Sequence, residues 1–347
     1  MTKTTITYSA LSAFIVQVLC AAGMRAEDAT IVADVLTWAN LRGVDSHGVA
    51  RLPGYVSEIA AGQFDPTGRP VLRSRLPGTF VLDCAGSAGP VCMMEAVRKC
   101  ISIASELGVG VGVVSAPTHV GAIGYYTQAI AKQGYAGLVM VAGRLLMAYH
   151  GARKASLGTS PISIAVPGSD GGPPLVLDMA SGLIAAGRIR QAAMEGHSLP
   201  DNAAIDVDGN PTSDPVRAKT VLPLGGPKGS GLALLFECLT GILAGTPIIT
   251  AAANAGKRAP IQNATVIVLN VESFRSLSEY RLDVAELRRT IKELPRRQGF
   301  EELFLPGERG DREAERRRKD GIPIPADVWK ELGEVSRRSH VAMPAPA

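Results

Sequence analysis

The hydrophobic period of this chain changes twice, and those two changes limit the fold more than any other feature. Over the first 60 residues apolar side chains recur at helical spacing. Residues 10–22 carry Leu11, Phe14, Ile15, Val18 and Leu19 at i, i+3, i+4, i+7 and i+8, and residues 27–42 set Ile31, Val32, Val35, Leu36 and Ala39 on one face. Pro53 suits the first turn of a third helix, where its missing N–H removes no bond. From about residue 77 short β-rich runs take over, at 79–83, 109–115, 137–142, 162–166, 175–178 and 265–270, with helical patterns near 88–107, 122–133, 179–194 and 229–244 between them. Helical segments return at 283–294, 309–320 and 327–336. This order predicts an α/β fold, with a mixed sheet core over residues 77–284 and a helical domain formed by residues 1–76 plus 285–347.

Composition narrows the class. Residues 281–340 hold fifteen Lys+Arg and thirteen Asp+Glu, against 36 and 32 in all 347 residues, so the chain before them is unusually apolar. A net charge of +4, spread over both signs, argues against a nucleic-acid partner. No apolar run reaches the ~20 residues of a membrane span, so no membrane partner is expected. The stretch 10–22 reads as an amphipathic helix and not a signal peptide, because Gln17 interrupts it and its apolar residues keep helical spacing. Five cysteines, Cys20, Cys84, Cys92, Cys100 and Cys238, form no C-x-x-C pair; an odd set of thiols in apolar stretches suggests a reducing, cytoplasmic compartment.

Absent motifs remove several chemistries. The nearest approach to G-x-G-x-x-G is Gly108-Val109-Gly110-Val111-Gly112-Val113, which alternates like a strand and has Val113 where the third glycine belongs, so a Rossmann finger is not expected. No G-x-S-x-G and no G-x-x-x-x-G-K-[ST] occurs, and the five histidines make no close ligand pair, so serine hydrolysis and metal chemistry are not expected.

Three segments carry chemical potential. Asp45-Ser46-His47-Gly48-Val49-Ala50-Arg51 packs an acid, a hydroxyl, an imidazole and a guanidinium between two predicted helices. Imidazole titrates near ~6.5 and suits proton transfer, while a guanidinium binds a carboxylate through two parallel bonds. An Asp/Ser cap with a surface ion pair at Arg51 explains the same residues. His119-Val120-Gly121-Ala122-Ile123 follows a predicted strand and opens a helix, where backbone N–H groups can meet an anion, or where the histidine is a structural hydrogen-bonder. Gly225-Gly226-Pro227-Lys228-Gly229 opens an apolar helix, as a phosphate cradle or as a flexible entry.

Together these segments resemble the malate/L-lactate dehydrogenase-like family, which includes ureidoglycolate and sulfolactate dehydrogenases and the ketimine-type Δ1-piperideine-2-carboxylate reductases. The likeness runs through Arg42-Gly43-Val44-Asp45-Ser46-His47-Gly48, Arg51-Leu52-Pro53, His119-Val120-Gly121-Ala122, Gly158-Thr159-Ser160-Pro161, Leu177-Asp178-Met179-Ala180, Pro211-Thr212-Ser213-Asp214-Pro215, Lys228-Gly229 and Leu305-Pro306-Gly307-Glu308. It implies a non-Rossmann fold, NADP or NAD as cofactor held by the 77–284 domain, a homodimer, and hydride transfer at C2 of a small 2-oxo or 2-hydroxy carboxylic acid. It assigns Ser46 and His47 to proton transfer, with His119 as a rival acid/base, and sets Arg51 and Thr159 against the substrate, with Arg51 on its carboxylate. The cofactor would be lined by His119, Val120, Gly121, Ala122, Ile123, Asp178, Met179, Ala180, Lys228, Gly229, Leu305, Pro306, Gly307, Glu308 and Arg309. Departures are Thr118-His119 for Asn-His, Thr159-Ser160 for Thr-Asn, Ala142-Gly143 for Asn-Ser, and Gly187-Arg188 where the hydroxyacid branch has Gly-Lys and the ketimine branch an Asp. The alternatives are a reductase of cyclic imine carboxylates and a cofactor-binding protein that has lost turnover.

Overall fold

The computed structural model describes residues 4–116, 118–248 and 262–347. Strand β1 (Thr4–Ile6) leads into helices α1 (Tyr8–Ala21), α2 (Ala26–Leu41) and α3 (Leu52–Ala60). Next come β2 (Val71–Leu76), β3 (Thr79–Asp83), α4 (Gly89–Leu107), β4 (Val109–Ala116), α5 (Gly124–Lys132) and β5 (Tyr135–Gly143). They are followed by β6 (Met147–Ala148), β7 (Ala155–Leu157), β8 (Ile162–Val166), β9 (Leu175–Met179), α6 (Ala186–Glu195), β10 (Ala204–Ile205), β11 (Pro211–Thr212) and β12 (Thr220–Val221). Helix α7 (Pro227–Glu237) runs on into a π-helical turn over Cys238–Ile242. The chain closes with β13 (Gln262–Asn270), α8 (Leu277–Glu293), α9 (Glu308–Asp320), β14 (Ile322–Ile324) and α10 (Ala326–Ser339).

The fold is α/β with mixed sheets. A seven-stranded sheet has the order β2-β3-β4-β13-β5-β8-β9, in which β3 and β4 are parallel and every other neighbour is antiparallel. Helices α4 and α5 cover it through a core that includes Val97, Ile130, Val139 and Val266. The Gly108–Gly112 run lies on β4, where it serves this packing: a Cβ on Gly110 would lie 2.3 Å from the Cys100 carbonyl oxygen, and one on Gly112 would lie 2.2 Å from the Phe80 ring. A smaller sheet has the order β11-β10-β12-β6-β7.

The two chain ends meet. β1 pairs antiparallel with β14, and the stripe Leu11, Phe14, Ile15, Val18 and Leu19 on α1 is buried with Leu36, Leu52, Ile322, Leu332 and Val335. Thr7 caps α1 by accepting the Ala10 N–H at 3.3 Å. Some helical patterns start elsewhere than their spacing suggests, and the one read over 283–294 begins six residues earlier, at Leu277, after the Ser276 cap. The one read over 179–194 begins only at Ala186, because β9 reaches Met179 and the chain then turns through the Gly182–Pro223 bridge. The one read from 122 begins at Gly124. The large sheet also begins at Val71, in a strand whose six residues are all exposed and so show no alternation. Among the described residues no helix is long and apolar enough to cross a membrane.

Candidate active site

The turn between α2 and α3 is built by residues that hold it and not by those it displays. Asn40, at the end of α2, accepts the Val49 N–H through Oδ1 at 2.7 Å and donates from Nδ2 to Asp45 at 2.8 Å. Gly48 sits so close that a Cβ there would lie 2.3 Å from Asn40 Oδ1. Arg317 of α9 donates to both Asp45 carboxylate oxygens, at 2.6 and 3.1 Å, and to the Asn40 carbonyl at 2.6 Å. Two short 3-10 turns result, Asp45–His47 and Val49–Arg51. Asp45 is thereby engaged in holding the turn, which presents Ser46, His47 and Arg51 to one cavity of about 700 Å³. Ser46 Oγ lies 3.1 Å from His47 Nδ1, and Arg51 Nε donates to the Ser46 carbonyl at 2.7 Å. The terminal nitrogens of Arg51 have no hydrogen-bond partner among the described residues.

The chain following β4 brings in a second imidazole. Val120 N–H donates to Gln262 at 2.7 Å, and the Tyr55 hydroxyl donates to the His119 carbonyl at 2.9 Å. Gly121 N–H donates to His119 Nδ1 at 3.0 Å, so the neutral ring carries its proton on Nε2. The His47 and His119 ring centroids are 5.2 Å apart. Burial, followed by the nearby Arg51 charge, pushes His47 down to about 4. Burial also drives His119 well below the usual imidazole range, with Arg51, His47 and Arg144 adding to the effect. Both rings are uncharged at neutral pH.

The opposite wall starts at the end of β9. Asp178 accepts the Gly124 N–H at 2.8 Å; burial raises its carboxyl to about 6, against the pull of that bond and of Arg42. A Cβ on Gly124 would come within 2.8 Å of Asp178 and 2.9 Å of Trp38, which closes the first turn of α5 onto this wall. Arg42 stacks 5.0 Å above the Trp38 ring, pairs with Asp311 and donates to the Gly307 carbonyl at 2.8 Å.

Of the residues singled out by sequence, Ser46, His47, Arg51, His119, Val120, Gly121, Ala122, Ile123, Thr159, Asp178, Met179, Ala180, Pro306 and Gly307 all line the cavity. Lys228, Gly229, Leu305, Glu308 and Arg309 do not. Lys228 is exposed at the start of α7, while Gly229 is buried where a Cβ would lie 2.4 Å from the Ser181 carbonyl oxygen. Glu308 accepts the Leu305 N–H at 3.0 Å and pairs with Lys292, and the Arg309 guanidinium stacks 4.5 Å over Phe304, so these three hold the turn that carries Pro306 and Gly307. Arg188 is exposed on α6 and does not line the cavity, although its neighbour Gly187 does. Ser160, which replaces the family's Asn, has φ of 33°, a left-handed backbone that Asn tolerates better.

Sequence reasoning missed Trp38, Arg42, Glu58, Arg144 and Gln262, all of which line the cavity. Glu58 had a signal, since Tyr55 and Glu58 on α3 fall at i+4 and i+7 from Arg51, which caps that helix. Arg144 follows β5 immediately and had none. The cavity suits a nicotinamide cofactor on its own features. It offers an apolar strip at Val120, Ile123 and Met179, backbone edges at 120–123 and 178–180, and space within the ~300–1,000 Å³ typical of cofactor sites.

The family model described as malate/L-lactate dehydrogenase matches residues 6–333. The L-sulfolactate dehydrogenase of Methanocaldococcus jannaschii is 35% identical over 326 residues, covering 92% of this chain and 93% of that protein. A solved sulfolactate dehydrogenase from the same organism superposes with a TM-score of 0.89 over 98% of each chain. The malate dehydrogenase of Pyrococcus horikoshii is 33% identical over 338 residues, 94% of this chain and 93% of that one. The Δ1-piperideine-2-carboxylate reductase of Pseudomonas syringae pv. tomato is 28% identical, with a TM-score of 0.82 over 95% of this chain and 99% of that one.

Proposed function

We propose, for a chain that belongs to the malate/L-lactate dehydrogenase family and is an NAD(P)-dependent oxidoreductase, that its reaction is hydride transfer at C2 of a small 2-oxo or 2-hydroxy carboxylic acid. One observation carries this reading: two uncharged imidazoles with centroids 5.2 Å apart share a cavity with a guanidinium whose outer nitrogens have no hydrogen-bond partner among the described residues.

In this reading Arg51 anchors the substrate carboxylate through its two free nitrogens, and the Thr159 hydroxyl closes the pocket beside it. Bound NADH or NADPH supplies the hydride, and the oxidised form accepts it. On reduction the C=O π pair moves to oxygen, which takes a proton from the imidazolium form of His47 and leaves the neutral ring; on oxidation the neutral ring takes that proton back. Ser46 orients the His47 ring, and the Nε2–H of His119 steadies the same oxygen. Burial is the larger cause of the low proton affinity of both imidazoles and the Arg51 charge the smaller; a carboxylate bound at Arg51 offsets that smaller part, so His47 gains proton affinity in the complex and can hold the proton that reduction consumes. The cofactor is assigned to the walls at 120–123, 178–180 and 306–307, with residues 77–284 as the domain that holds it and residues 1–76 plus 285–347 as the helical domain closing over it.

The reading also includes a homodimer and a cytoplasmic location. Leu232, Leu235, Leu239, Ile242 and Leu243 form an exposed stripe along α7 and its π turn, an apolar face that a second copy of the chain would cover. Lys228, at the exposed start of the same helix, would reach the cofactor from that side. The five cysteines are all free thiols, as a reducing compartment allows.

The test follows nicotinamide absorbance with NADH and NADPH against a panel of 2-oxo acids and cyclic imine carboxylates. His47→Ala should lower kcat about 10²- to 10⁴-fold with cofactor affinity retained. Near-normal turnover in that variant would move the proton-transfer role to His119, and a wild type active only on the imines would replace the 2-oxo acid reading.

A further inference from the structure

The charges in the cavity separate into two groups. Asp178 feels Arg42, which is already engaged by Asp311, the Gly307 carbonyl and the Trp38 ring. At the imidazole end stand Arg51, Glu58 and Arg144. Glu58 is under the influence of Arg144 first and Arg51 second, and His119 is under the influence of both arginines. This end therefore has two guanidinium groups and one carboxyl. Burial raises the carboxyl, which weakens it as a counter-ion.

Arg51 and Glu58 are half-buried and incompletely satisfied by the protein, and Arg144 lines the same cavity as an exposed side chain. Glu58 Oε2 is buried without a hydrogen-bond partner. Arg144 makes no hydrogen bond or ion pair among the described residues, and Arg51 spends only Nε, on the Ser46 carbonyl. The half-buried Arg51 guanidinium is stabilised by an anion that accepts two parallel bonds, and the exposed Arg144 guanidinium offers the same planar pair of donors to an anion entering the cavity. A substrate with one carboxylate would satisfy Arg51 and leave Arg144 unmatched beside an imidazole that its charge already disfavours protonating.

Building on the hydride-transfer reading above, we propose that Arg144 is a specificity-determining residue that binds the second anionic group of a doubly charged 2-oxo or 2-hydroxy acid, while Arg51 binds the carboxylate next to C2. The second group is a carboxylate or a sulfonate, both of which present oxygens to a planar guanidinium. Because Arg144 follows β5 and Arg51 precedes α3, the two cations reach the substrate from different elements and leave C2 between them, beside the histidines. Glu58 keeps the pair from repelling each other when the cavity is empty.

The experiment has two arms. The first compares kcat/KM for three-carbon and four-carbon 2-oxo acids that differ only in the distal group: carboxylate, sulfonate, carboxamide or methyl. The wild type should prefer the doubly charged members by about 10- to 100-fold, the range expected for a charge-assisted bond. Arg144→Met should collapse that ratio, and Arg144→Lys should restore part of it. The second arm titrates malonate and acetate into the protein by calorimetry, without turnover; malonate should bind more tightly, with the difference lost in Arg144→Met. A wild type without preference, a preference that survives in Arg144→Met, or an equal loss for all four substrates would overturn the proposal. Malonate binding that depends on Arg144, in a protein that turns over no member of the panel, would uphold the anion site and refute the hydride-transfer reading instead.

Discussion

Replacing Arg317 by Met tests whether the turn assigned to proton transfer is held from a distance. The side chain of Arg317 is 8% exposed and that of Asp45 38%. Removing one partner of a buried ion pair costs about 3–5 kcal/mol, and water reaching Asp45 brings this down to about 2–3 kcal/mol. For 347 residues the unfolding entropy is about 0.7 kcal/mol/K, so Tm should fall by about 3–4 °C. Function should suffer more than stability. Without its two-point bond Asp45 releases the turn that fixes His47 and, through the Ser46 carbonyl, Arg51. A displacement on the order of 1 Å at a reacting group lowers rates about 10²-fold, so kcat should drop by that order at a temperature where the variant is folded. Scanning calorimetry and steady-state kinetics on Arg317→Met, Asp45→Asn and the double variant are the assays; the double variant should be no slower than the worse single one. Unchanged kcat in Arg317→Met, at the lowered Tm, would show that the turn keeps its shape without the pair and would refute the reasoning.

Two other perturbations probe the same region. His47 should titrate near 4 by NMR, and because both burial and Arg51 lower it, Arg51→Met should shift that titration upward; an unchanged or lower value would remove Arg51 from its surroundings. The sign for stability follows from the depressed value: the contribution of His47 is fully present above about 6.5 and is lost as pH falls from there toward 4. Gly48→Ala forces a Cβ to 2.3 Å from Asn40 Oδ1, so it should disrupt the hydrogen bonds of Asn40 to Val49 and Asp45 and cost about 2–4 kcal/mol of stability, measured by denaturant unfolding.

What could be read in advance follows the physics of each element. The α1 stripe was legible because one face of that helix is buried and the other is not. Strand β2 was illegible because all six of its residues are exposed, and β6, β10, β11 and β12 are two residues each, too short for any period to show. The misread helix start at 179 reflects an apolar stretch through Leu183, Ile184 and Ala185 that is spent on a turn in the cavity wall. At the site, His47, Arg51 and His119 stood out by residue type. The role of Asp45 did not, since its partner Arg317 is 272 residues away and reaches it only after the chain ends meet. Arg144 gave no signal because its meaning depends on Glu58 and His119, from two other segments.

The charged C-terminal region acquires a different meaning once it is folded. Much of its charge lies in exposed networks, such as Lys292 and Arg312 with Glu302 and Glu308, and pairs of that kind contribute little each. Two contacts of α9 are of another kind. Asp311 pairs with Arg42, whose guanidinium covers Trp38 on the wall assigned to the cofactor, while Arg317 pairs with Asp45 under the turn assigned to proton transfer. The two residues are six positions apart, about 9 Å along one helix. Helix α9 therefore fastens both sides of the cavity, and its fit between them is set by Gly310, where a Cβ would lie 2.8 Å from the Arg42 guanidinium. A rigid element that spans both walls keeps the distance from the wall assigned to the cofactor to the turn assigned to proton transfer independent of what occupies the space between, as hydride and proton transfer to one substrate would require.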